Sequence, residues 1–197
     1  MTNVFSIALQ SLLIVTAIHA GEWHVDKTHP SNKVHFISEV VALQFDGTSQ
    51  SIDGYVYWEG DGPISKGSQF LFAVDMSTFD TGIGKRDHDM RIVLNTRKWP
   101  QAHFKGTLAT LRPDTSATNT YQTLAQGTFS LHGIEQSVGI PATITVGDST
   151  AYIGADFTIR LQDYDIEAPS LAAFIKVSEE VSISVQVHMK QILQEKE

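Results

Sequence analysis

The sequence has no cysteine in 197 residues. Structural disulfides, cysteine-based zinc sites and thiol nucleophiles are thereby excluded. Positive charge is also scarce: 14 Lys and Arg stand against 22 Asp and Glu, a formal net charge of -8. An acidic chain without a basic stripe argues against nucleic acid as a partner, because phosphate binding needs clustered Lys and Arg. It argues equally against docking on anionic lipid through overall charge. After the N-terminus no apolar run is long enough to span a membrane. Catalytic signatures are missing too. There is no G-x-S-x-G elbow, phosphate loop or dinucleotide fingerprint, and Glu179 and Glu180 are neighbours on a strand that point apart. With no catalytic signature and no cofactor motif, the expectation is a protein that is not an enzyme and carries no cofactor.

Met1 to Ala20 carry no charged side chain. Val4 to Leu9 and Leu12 to Ile18 form apolar blocks, split by Gln10 and Ser11. Ala20 is small, and Gly21-Glu22-Trp23 turns polar at once. This reads as a secretory signal peptide over residues 1–20, followed by one domain over 21–197 in the periplasm or outside the cell.

From Trp23 onward, period-two alternation dominates. It is found at Val34 to Ser38, Ile52 to Trp58, Phe70 to Val74, Ala102 to Phe104, Phe129 to Leu131, Val138 to Ile144, Phe157 to Ile159 and Val181 to Val187. Alternation gives each strand one apolar and one wetter face. About eight such strands separated by Gly, Pro, Asn and Asp clusters predict an all-β sandwich or up-and-down barrel. Ile83 to Asn95 breaks the pattern and predicts a helix before Trp99-Pro100. A helical turn is expected near Pro169 to Ala173, a hairpin tip at Thr115 to Thr120, and fraying over Gln191 to Glu197.

Five short segments in register resemble the YceI-like family. Ser77-Thr78-Phe79-Asp80-Thr81-Gly82, followed by Arg86-Asp87-His88-Asp89-Met90, is the longest of them. The others are Asp26 to Phe36, Trp99 to Phe104, Gly127 to Gly133 and Asp163-Tyr164-Asp165-Ile166. Three departures fall in loops. Two extra residues lie between His29 and Val34, Asp165 stands where glycine is usual, and Arg97-Lys98 replaces an acidic pair. The resemblance implies an eight-stranded antiparallel lipocalin-like barrel with a short helix at one end, a periplasmic location and often a homodimer. It also implies a bound polyisoprenoid, isoprenoid quinone or other lipid chain, in a carrier or stress-related role.

An eight-stranded barrel either fills with side chains or leaves room for one slim ligand. The residues alone leave both open. Val34, Phe36, Phe72, Val74, Phe104, Phe129, Leu131, Phe157, Ile159 and Val185 occupy the more apolar phase of their strands and are the expected lipid contacts. Asp80, Thr81, Arg86, Asp87 and Met90 carry the family motif, structural or at the barrel mouth. Arg86 could hold a phosphate or quinone oxygen, but an Arg86–Asp87 brace that fixes the helix onto the barrel is the reading we favour. No metal site is expected: His35, His132 and His188 fall on the wetter strand phase, and only His88 with Asp89 has any claim. Two alternatives remain: a redox or stress protein that uses a bound quinone or haem, and a filled barrel that presents its outer surface to a protein partner.

Overall fold

Strands with one apolar face must bury it, and here they do so by rolling the sheet on itself. The computed structural model describes residues 20–40, 43–60, 62–172 and 175–192. The expected signal segment lies outside them except for Ala20. The strands, in order, are β1 (Ala20–Val25), β2 (Lys33–Val40), β3 (Leu43–Ser49), β4 (Ile52–Glu59), β5 (Gln69–Asp75), β6 (Gln101–Pro113), β7 (Thr120–Leu131), β8 (Ile134–Val146), β9 (Thr150–Arg160), β10 (Ser170–Ala172) and β11 (Ile175–Ile192). One α-helix, α1 (Gly84–Val93), sits between β5 and β6. All eight expected strand runs are present, in β2, β4 to β9 and β11.

The sheet is antiparallel and closes into an eight-stranded barrel. Its eight walls are built from more than eight pieces. β1 and β2 lie end to end along one edge of β11: Trp23 faces Gln191, while Phe36 faces Ile183. β3 and β4 continue one another in the same way, against β2 and β1. β9 takes the other edge of β11 and completes the ring.

The break between β1 and β2 holds the two extra residues seen before Val34, as a turn over residues 26–32. A turn there leaves backbone groups of β11 without a strand partner, and buried backbone groups must be paired. Asn32, 1% exposed, supplies the pairing. Its amide donates to the Asp26 carbonyl at 2.7 Å, and its side-chain oxygen accepts from the His188 N–H at 2.8 Å.

Three expectations are corrected. Residues 170–172 form a short strand against β11, and the helical turn lies earlier, at Leu161–Tyr164; Ala173 is outside the described residues. The final strand does not fray at Gln191, because β1 pairs with it up to Ile192; residues 193–197 are not described. The helix ends at Val93, two residues short of Asn95. Asn95 itself has a φ of 46°, which the helix cannot accommodate.

Two turns explain motif residues. His132 and Gly133 have φ values of 53° and 80°, the mirror-image hairpin turn that matches strand twist. A Cβ on Gly133 would lie 2.5 Å from the Trp99 ring, so two family segments meet there. Asp165 has φ 53° and ψ 37°, the left-handed conformation that short polar side chains tolerate. It therefore takes the place of the usual glycine without abolishing the turn.

A candidate lipid cavity

Inward side chains of the barrel form two packed groups. At one end, the base, Trp23 stacks on Trp58 at 5.8 Å between ring centroids, and both are 2% exposed. Their indole N–H groups donate to the Pro63 and Gly62 carbonyls, each at 2.8 Å. Val25, Ile64, Val146, Ala151 and Met189 complete this plug. Gly21 is required beneath it, because a Cβ there would overlap the Trp58 ring at 2.1 Å. At the other end, the mouth, Leu131, Leu161, Tyr164, Ile166, Val177 and Val181 pack together.

Between the two lies a cavity of about 1040 Å³. The barrel is hollow, and this answers the question that sequence phase leaves open. All ten residues chosen from strand phase line it: Val34, Phe36, Phe72, Val74, Phe104, Phe129, Leu131, Phe157, Ile159 and Val185. Aromatic rings cross the wall in a chain, with Phe70 against Phe104 at 4.8 Å, Phe104 against Phe129 at 6.3 Å and Phe129 against Phe157 at 6.0 Å. The tilted and edge-to-face geometries are those the ring quadrupoles favour.

Strand phase missed several wall residues. Phe70 is in phase with Phe72 and Val74, so its signal was present. Phe45, Phe79, Ile83, Val93 and Leu94 come from β3 and the helical segment, where alternation is silent.

Most of the polar wall lies toward the mouth, in Ser38 of β2, Gln44 of β3, Lys85, Arg86 and Asp89 of α1 and His103 of β6, with Thr123 of β7 apart from them. Met90 also faces the cavity. Arg86 and Asp87 are joined through Thr81 and not by a direct contact. Adjacent helical residues diverge, and Thr81, which lies between them in space, holds both. The Asp87 carboxylate accepts from the Thr81 N–H at 2.9 Å and from its hydroxyl. Arg86 donates through Nε to the Thr81 hydroxyl at 2.9 Å and through Nη2 to its carbonyl at 2.7 Å. The Thr81 hydroxyl and N–H hold the Asp87 carboxyl below the usual carboxylate range, with smaller help from Arg91 and Arg86. Asp80 ties the same segment to the barrel, exchanging backbone hydrogen bonds with Thr48, each at 2.9 Å. Its side chain accepts from Gly82 N–H at 2.7 Å. The motif Asp80, Thr81, Arg86 and Asp87 thus seats α1 over the mouth.

His103 lines the cavity, whereas His35, His88, His132 and His188 take other places. His35 pairs with Asp46 at 2.9 Å, and His132 meets the Tyr164 carbonyl at 3.1 Å. The His188 ring stacks on His29 at 3.7 Å. Burial, and then His29, lower its pKa. His88 is exposed. Among the described residues no group of three or more His, Asp or Glu could hold a metal ion, and no helix is long and apolar enough to cross a membrane.

Three solved structures share this fold. Burkholderia cenocepacia BcnA aligns with a TM-score of 0.66 at 18% identity, over 83% of this chain and 98% of its own. A polyisoprenoid binding domain from Saccharophagus degradans, implicated in plant cell wall breakdown, aligns with a TM-score of 0.65 at 15% identity, over 86% and 98%. A Campylobacter jejuni YceI protein aligns with a TM-score of 0.53 at 14% identity, over 77% and 85%. At such identities the likeness is one of fold. A search of curated proteins gave no significant match. The YceI-like domain model matches residues 23–189, a span that takes in the Trp23 plug, the Thr81 node and nearly the whole barrel wall, and the chain accordingly belongs to the YceI-like family.

Proposed function

We propose that the protein binds one long apolar lipid inside the barrel, for storage or transport in the periplasm or outside the cell. The ligand class is a polyisoprenoid, an isoprenoid quinone or a fatty-acyl chain. One observation carries this reading: a cavity of about 1040 Å³ with an almost wholly apolar wall and a closed base. Each methylene moved from water into such a wall gains about 0.8 kcal/mol, so affinity grows with chain length and needs few polar contacts. The polyisoprenoid binding named for the Saccharophagus degradans domain supports the same ligand class. So does the absence of any catalytic signature in the sequence.

The test is mass spectrometry of an organic extract of the purified protein, beside an Ala155→Trp variant. Ala155 lies in the cavity wall, and an indole there fills space that a lipid would need. Prenyl or acyl lipid is expected in the unmodified protein and is expected to be lost from the variant while the fold persists. If the unmodified protein yields no lipid and takes up no added quinone, the proposal fails.

A further inference from the structure

Two hydroxyls in the cavity wall are used differently. Thr123 of β7 donates to the Thr110 carbonyl at 2.5 Å, where the β6–β7 ladder shifts register. That hydroxyl has a structural task. Ser38 of β2 is 3% exposed, and its hydroxyl finds no hydrogen-bond partner among the described residues. Its cross-strand neighbours are Phe45 and Val181, so alanine or valine would suit this position better. An unpaired buried hydroxyl costs stability and calls for an explanation.

The surroundings supply one. Ser38 lines the cavity near its mouth. The Arg86 guanidinium, also in the wall, lies over the neighbouring Phe45 ring at 5.2 Å. The far end of the barrel is the Trp23–Trp58 plug, and toward it the wall hydroxyl of Thr123 is already committed to the Thr110 carbonyl. A hydroxyl donor and a cation therefore flank one ring at the mouth, and nothing comparable stands at the base.

We propose that the lipid enters tail first and that the Ser38 hydroxyl holds an acceptor oxygen on its head. The preferred ligand class narrows to amphiphiles with a single oxygen-bearing end, such as prenyl alcohols or quinones, over plain hydrocarbons. This inference rests on the lipid reading of the cavity.

Equilibrium dialysis of the delipidated full chain tests it, with geranylgeraniol and its hydroxyl-free hydrocarbon as probes. The unmodified protein is expected to prefer the alcohol by about fivefold, the value of one net hydrogen bond. Ser38→Ala is expected to lose that preference, keep its affinity for the hydrocarbon and melt at a higher temperature without ligand. Ser38→Thr, which retains a hydroxyl, is expected to keep the preference. Equal binding of both probes by the unmodified protein would overturn the inference while leaving the lipid reading intact. So would a preference that survives in Ser38→Ala, or a Ser38→Ala protein that melts lower. Binding of neither probe would overturn both.

Discussion

The two ends of the barrel are closed by different physics. At the base, two tryptophans share a ring stack, satisfy their N–H groups on the 62–63 loop backbone and bury nearly all their surface. That is core packing, dense and apolar. At the mouth, α1 is held by a polar node around Thr81, and the helix leaves Ile83 and Ile92 more than half exposed, at 54% and 63%. The node's hydrogen bonds are partly buried, and each is worth about 1 kcal/mol net against about 3–5 kcal/mol for a buried indole. The contrast predicts that the base is the harder end to open and the mouth the easier one.

The strongest test of this contrast is Trp58→Ala. Removing a buried indole from the plug is expected to cost about 3–5 kcal/mol, read as a shift of the urea midpoint. Leu161→Ala, at 8% exposure in the mouth group, is expected to lie near the low end of its class, about 2 kcal/mol. A Leu161→Ala cost equal to that of Trp58→Ala would erase the distinction. Asp87→Asn should have a smaller effect on melting, by a few degrees, and a larger one on how fast a bound lipid exchanges. Its effect also depends on pH. The folded Asp87 pKa is depressed, so its contribution is present above the ordinary carboxylate value of about 3.9 and is lost as pH falls through the lower folded value. The melting difference between the unmodified protein and Asp87→Asn should therefore shrink toward acid pH. A difference that stays constant from neutral to strongly acid pH would remove Asp87 from the account. The smallest effect belongs to His188, whose pKa is depressed by burial. Its neutral form is favoured by folding, so stability should slip as pH drops below about 6.5. In His188→Gln, which cannot titrate, that slope should be shallower.

Much of the wall was legible because alternation reports which side chains share a face. Phe72 and Val74, Phe129 and Leu131, and Phe157 and Ile159 could be placed inward from phase alone. Strands β1 and β3 were not legible. β1 follows directly on the apolar N-terminal segment, and Gln44-Phe45-Asp46-Gly47 offers a single apolar residue to read. The Trp23–Trp58 stack depends on β1–β4 register, in which Trp58 lies opposite Gly21, and no local pattern encodes it. Hollowness was beyond reach because phase assigns faces and not volumes. The Thr81 node was half legible. Arg86 and Asp87 were seen as a unit, but their common partner sits a turn away across a loop. Ser38 had left a trace: it is the polar residue in the phase shared by Val34 and Phe36.

β11 is paired along one edge with β1 and β2 and along the other with β9. The chain's first described strand therefore has to wait for its last. Glu22 meets Ile192, almost the full length of the domain away, so the ring cannot close until the C-terminus is available. Such distant pairings are slow to form, because the entropy of a very large loop is lost before any contact compensates for it. Until that moment the aromatic wall is an open, sticky sheet, and a truncation that removes the end of β11 should yield a chain that aggregates instead of a smaller barrel.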